Sequence, residues 1–294
     1  MKDSPTDLTL MLTARQVLAE ALSRALTDPF ELRSLPASGR AQVEPLAEIW
    51  RGFQNLYADV KQRDLGLGEL PPGRASIEPL MQWLSLDVVQ RGEAWQRVFG
   101  LVVSKLCPPY ETEYCHWKDA TYRAQHLADI AGFYAAFKYE PDKRFAERQD
   151  HVALELLFLR LVHERWRFAI EHELGEQVIR VCAEAAGAFV RDHLAWWMPT
   201  FAKCLDRRIE SLSSMEDGAD GAVALRGLSG VARVLRAFTA IERLAHHLPP
   251  SREIIAPQVE AVPDDGTCHG CAGGAMTADT TSLFESVCDL SARE

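Results

Sequence analysis

"DHVALELLFLRLVHERWRFAI" (residues 150–170) decides the fold. From Val152 to Val162 the run is apolar nearly all round, and a helix tolerates that only where neighbours cover it on most sides. Such a helix runs through the centre of a bundle. Asp150 stands where an N-cap belongs, and nothing from Pro141 up to it reads as helix, so the element is expected to begin there.

Outward from this centre, every periodic segment is helical. In "VEPLAEIWRGFQNLYADVKQR" (43–63), Leu46, Ile49, Trp50, Phe53, Leu56, Tyr57 and Val60 keep one face at helical steps. "DATYRAQHLADIAGFYAAFKY" (119–139) does the same with Ile130, Phe133, Tyr134 and Phe137. So does "AVALRGLSGVARVLRAFTAIERLAHHL" (222–248), through Leu225, Leu228, Val231, Leu235, Phe238, Ile241 and Leu244. No alternation of apolar and polar residues lasts long enough for a strand. Pro199, after Trp196 and Trp197, should begin a new helix or kink a long one.

The expected fold is all-α: a single-domain helical bundle with a buried central helix, extra N-terminal helices and an irregular C-terminal tail. Proline and glycine set its divisions. "LGLGELPPG" (65–73) closes an N-terminal helical segment, 1–70, packed on or preceding the core. The core runs over 74–248, with "SMEDGADG" (214–221) linking two of its later helices. From Pro249 the composition turns to Pro, Gly, Asp, Thr and Ser, and 249–294 reads as a mostly irregular tail.

Charge narrows the partners. The 294 residues carry 42 acidic against 32 basic side chains, a formal net charge of −10, which argues against nucleic acid. No apolar run approaches the roughly 18–20 residues of a membrane span, and the N-terminus lacks the pattern of a secretory signal. Seven cysteines without framework spacing suit reduced thiols in a cytoplasmic chain.

Chemistry is sparse. There is no Gly-x-Ser-x-Gly elbow, phosphate loop or dinucleotide fingerprint. His163, His172 and His193 fall on helices with nothing to make them a base, and no enzyme is expected. Two places remain open. In the tail, Cys268 and Cys271 supply half of a tetrahedral zinc site, which would make the chain a metal-binding redox or sensor protein. "CPPYETEYC" (107–115) raises three readings: a metal site through Glu113 and His116, which a single such pair just after two prolines supports poorly, a disulfide-closed loop, or a rigid docking edge. For the last, Pro108 and Pro109 stiffen the backbone that presents Tyr110 and Tyr114. Trp95 and Phe99, one turn apart, could line an apolar groove, with Glu111, Glu113, Asp150 and Glu155 as an acidic rim.

"PPYETEY", then "YAAFKYEPDKRFAERQDHVALELLFL", then "FVRDHLAWWMPTFAKCL" resemble the TorD/DmsD/NarJ-type redox-enzyme maturation chaperones over roughly residues 80–210. The most specific part is the Asp150–His151 pair ahead of the apolar helix. Lys138 stands where that family has a turn glycine, and Gln149 where it has the proline before the Asp-His pair. The resemblance implies a chaperone without cofactor that binds the leader, or twin-arginine signal, of the catalytic subunit of a molybdopterin-dependent oxidoreductase. Asp150 and His151 then match the leader-binding pair, Tyr110, Glu111 and Tyr114 match the conserved loop, and Trp95 and Phe99 fall near its aromatic groove residues. It also implies a rigid docking edge with free thiols at Cys107 and Cys115, in a monomer or domain-swapped dimer. A structural subunit of an assembled complex stays as a rival.

Overall fold

The structure, a computed structural model, describes residues 5–31, 43–100, 106–115, 120–142, 147–214, 219–253 and 255–257. Among them are α1 (Pro5–Ala25), α2 (Leu46–Leu56), α3 (Glu78–Ser85), α4 (Val88–Phe99), α5 (Ala120–Ala136), α6 (Val152–Glu171), α7 (Glu176–Phe189), α8 (Met198–Ser213) and α9 (Ala219–Ala245). The only β-type pairing among the described residues is a single antiparallel bridge, Tyr110 to His151. The fold is an all-α bundle.

α6 is the central helix. Nine of its residues between Val152 and His163 are buried, Glu155 and His163 with them. α1 lies along one side of it and α7 along another, while α9 packs on α8 and α3. The N-terminal helix is therefore built into the core: Leu18, Leu22 and Leu26 share one apolar cluster with Leu156, Phe158 and Leu159. Burying each such side chain contributes about 1.5–3 kcal/mol. Arg15 of α1 also forks onto Glu242 of α9, both fully enclosed.

Small residues set how closely helices approach. A Cβ on Gly230 would stand 2.3 Å from Pro79 Cβ, so α3 can lie against α9 only because that position is glycine. Pro199 falls at the second position of α8, where its missing N–H costs nothing, and a π-turn over Val190–Leu194 joins α7 to it. Three helices, α5, α6 and α9, end on non-glycine residues in the left-handed region: Lys138, Glu173 and His247.

Some sequence expectations shift. α2 stops at Leu56, whose side chain is exposed, so its apolar face is shorter than the periodicity to Val60 predicts. Asp150 is not the cap of α6. His151 is, its Nδ1 accepting from the Ala153 N–H at 3.2 Å, because the Asp150 carboxylate is already taken by the preceding loop. The tail cysteines Cys268 and Cys271 lie outside the described residues, as does His116.

Candidate functional site

The stiff loop and the entry to α6 are stitched together. Pro108 and Pro109 hold the chain extended, which lets the Val152 N–H donate to the Pro109 carbonyl (2.9 Å) and the Glu111 N–H to that of Asp150 (3.0 Å). The rings of Tyr110 and His151 meet edge to face at 5.2 Å. Residues 111–114 then turn as a short 3₁₀ helix, which drives Tyr114 into the core against Trp197 and Phe201. Cys107 and Cys115 are separate buried thiols, and burial, aided by Glu111, pushes that of Cys115 up to about 12. The loop is closed by hydrogen bonds, without a disulfide.

Asp150 is the knot. Its Oδ2 accepts from the Thr112 N–H (3.1 Å), the Thr112 hydroxyl (2.7 Å) and Arg148 Nη2 (2.7 Å), and its Oδ1 from Arg148 Nε (3.0 Å). Burial alone would raise this carboxyl, but Arg148 and Thr112 outweigh it and hold it below the usual range. Arg148 continues to Glu113 Oε1 (3.2 Å) and lies over the Tyr110 ring. The Tyr110 hydroxyl donates to Glu147. His151 is fully enclosed, and burial lowers its pKa to about 4 despite Glu147 and Asp150 nearby. On the other flank, Gln149 donates to the Leu127 carbonyl and Tyr134 to that of Gln149, so α5 is tied to the same turn. The side chain of Gln149 thus makes a bond that the family's proline could not.

A second knot lies under the loop. Glu111, with no exposure, accepts from Trp196 Nε1 (3.0 Å), while His126 Nε2 stands 2.8 Å from its Oε1 and His193 Nδ1 3.2 Å from its Oε2. His193 Nε2 reaches Asp129 Oδ2 at 3.1 Å. Burial would lower His126, but Glu111 raises it above its usual value. Glu155 is buried facing Glu111. Burial and the Glu111 charge push it well above the carboxylate range, so it is held as the neutral acid.

Outside this knot a cleft of about 420 Å³ opens beside Cys115. Tyr122, His126, Asp129, Asp192, Trp196 and Glu253 line it, together with Arg191, which pairs with Asp192. Asp129 is well exposed there.

The structure therefore joins Tyr110, Glu111, Tyr114, Asp150, His151 and Glu155 in one locality, and it buries all six. The rings of Trp95 and Phe99 meet tilted with centroids 4.1 Å apart, but they too are buried, on a helix that packs against α8 and α9. Sequence reasoning missed Arg148, His126, Asp129 and Trp196. The signal was there for the last three: His126 and Asp129 are three residues apart on α5, as are His193 in the π-turn and Trp196 just after it.

The loop and the turn that the structure locks together carry the motifs that resemble the TorD/NarJ redox-enzyme maturation chaperones. Residues 74–203 match the family model described as nitrate reductase delta subunit, a member of the TorD/NarJ redox-enzyme maturation chaperones. That family consists of maturation chaperones that serve molybdoenzyme catalytic subunits. α1, α2 and α9 lie outside the matched segment. Neither curated proteins nor solved structures gave a significant match. No helix among the described residues is long and apolar enough to cross a membrane.

Proposed function

We propose that the chain acts in the cytoplasm, binding the N-terminal leader of a molybdopterin oxidoreductase catalytic subunit and holding that subunit until its cofactor is in place. The observation that carries this reading is the cleft beside Cys115. It presents Asp129 and Glu253 together with the rings of Tyr122 and Trp196, a combination that suits a guanidinium flanked by apolar side chains. A twin-arginine segment offers that chemistry. The buried residues then serve indirectly: Asp150, His151 and Tyr110 hold the loop in shape, while Trp95 and Phe99 pack in the core.

Titration calorimetry with a synthetic twin-arginine leader tests it. A micromolar complex, about −8 kcal/mol, is expected and would be ample for a transient escort. Replacing both arginines of the peptide by glutamine should abolish the heat, and so should Asp129→Lys combined with Glu253→Lys, with helicity unchanged. A chaperone that takes none of the leaders encoded beside its own gene would end the reading.

A further inference from the structure

We propose that Glu111, His126 and His193 form a site for one divalent transition-metal ion of zinc's class, bound by two imidazole nitrogens and a carboxylate oxygen. Their ligand atoms all lie within 4.8 Å of one another. His126 Nε2 and His193 Nδ1 stand 2.8 and 3.2 Å from the two oxygens of Glu111. A tetrahedral ion with bonds of ~2.0–2.1 Å wants neighbouring ligand atoms about 3.3 Å apart, so only small movements separate this arrangement from a coordination shell.

The partners around the three support a cation at their centre. Asp129 Oδ2 lies 3.1 Å from His193 Nε2, the ring nitrogen that faces away from Glu111. A carboxylate taking the Nε2 proton leaves Nδ1 with its lone pair aimed at Glu111, the arrangement that metal-binding histidines use. Trp196 Nε1 donates to Glu111 Oε1, as an outer partner that fixes a ligating carboxylate does.

Glu155 points the same way independently. It is fully buried and faces Glu111. Among the described residues no lysine or arginine reaches Glu111, Glu155 or Asp129 by hydrogen bond or ion pair. Two carboxyl groups buried side by side without a lysine or arginine on either are a costly arrangement, and a divalent ion would relieve it. The cleft gives an ion access from solvent, since His126 and Asp129 are among its lining.

The rival cluster, His163, Glu242 and His246, is less suited: Arg15 already forks onto that glutamate and reaches His246 as well. At the proposed site the ligands come from the 3₁₀ turn, α5 and the π-turn, so one ion would clamp three segments far apart in sequence. This holds whether or not the cleft receives a leader.

The test uses the full chain, stripped with chelator and dialysed against Zn²⁺ at pH 7.5, with bound metal counted by elemental analysis. To remove the tail thiols it is done in a Cys268→Ser, Cys271→Ser background. One equivalent of zinc is expected in that background and none after adding His126→Ala, a partly exposed position at the cleft whose loss the fold should survive. Asp129→Asn, with helicity intact, should weaken zinc ~10–100-fold, since it removes only the outer partner of a ligand. Co²⁺ in place of zinc should show visible d–d bands without sulfur charge transfer. Loss of the metal with the tail cysteines would assign it to thiols and overturn the proposal. So would a full equivalent retained after His126→Ala.

Discussion

Arg148 and Asp150, two residues apart, close a fork: Nε donates to Oδ1 at 3.0 Å and Nη2 to Oδ2 at 2.7 Å. The carboxylate end of the fork is buried and the guanidinium end is nearly half exposed. Asp150→Ala would strip Thr112 and Arg148 of their acceptor together. Because Arg148 can turn back to water, the loss should lie below the ~3–5 kcal/mol of a wholly enclosed pair, at about 2 kcal/mol. Helix content should not change, since His151 caps α6. Urea midpoints followed by circular dichroism check both halves. A loss of helix would mean that the aspartate sets the helix start after all.

His151 gives a pH signature. Its folded pKa is lowered by burial to about 4, against an ordinary 6.5. Between those values the unfolded chain binds the proton and the folded chain does not, so stability falls as pH drops from 6.5 toward 4. At pH 5 the single group should cost about 2 kcal/mol relative to neutral pH. His246, lowered to about 3 by burial and Arg15, acts in the same direction. His151→Asn keeps an acceptor for the Ala153 N–H and cannot titrate. The slope of stability against pH over this window should therefore be shallower in the variant. An unchanged slope would assign the acid sensitivity elsewhere.

How much of this could be read from the chain depended on range. The buried run Val152–Val162 and the rows on α5 and α9 are local patterns, and a helix with apolar sides must find cover. The order of Pro-Pro-Tyr loop and Asp-His turn was legible for the same reason. What Asp150 does was not. An aspartate ahead of a helix looks like a cap, and only the fold brings Thr112 and Arg148 near enough to claim it. Trp95 and Phe99 show the converse: two aromatics on one helical face fit a groove or a core equally well, and burial by α8 and α9 decided for the core. The packing of α1 along α6 joins residues more than a hundred positions apart, which no periodicity reports.

Lys138 and Glu173 end α5 and α6 with φ of +50° each. The next residue's N–H in each case reaches back five residues, Tyr139 to the Tyr134 carbonyl (2.8 Å) and Leu174 to that of Ala169 (3.0 Å). This is the helix stop that glycine favours. A side chain there costs ~1–2 kcal/mol, and glycine gives back part of the gain through a looser unfolded chain. Lys138→Gly, which restores the residue the chaperone family has at this turn, should stabilise by up to about 1 kcal/mol, as should Glu173→Gly. The two are far enough apart to add. Thermal midpoints of the single and double variants measure this, and a fall in midpoint would show that the lysine stem or its charge matters more than the backbone.

Glu155 is the one acidic side chain wholly inside the central helix, and its folded pKa is raised far above 4.5 by burial and by Glu111. A raised carboxyl contributes stability that is fully present below the unfolded value and is lost as pH climbs toward the folded one. At neutral pH the folded state must keep this proton, which the unfolded chain releases freely, so the wild-type protein carries a standing cost there. Glu155→Gln mimics the protonated acid in shape and cannot ionise. It should match wild type near pH 4.5 and exceed it in stability at pH 7 and above, the gap widening with pH. The comparison belongs in metal-free protein, because a cation beside Glu111 would lower the Glu155 pKa and shrink the gap. If added Zn²⁺ leaves the gap untouched, Glu155 and the proposed metal site do not communicate. If the glutamine variant is less stable at every pH, the carboxyl is ionised in the folded state and the account of this knot has its charge wrong.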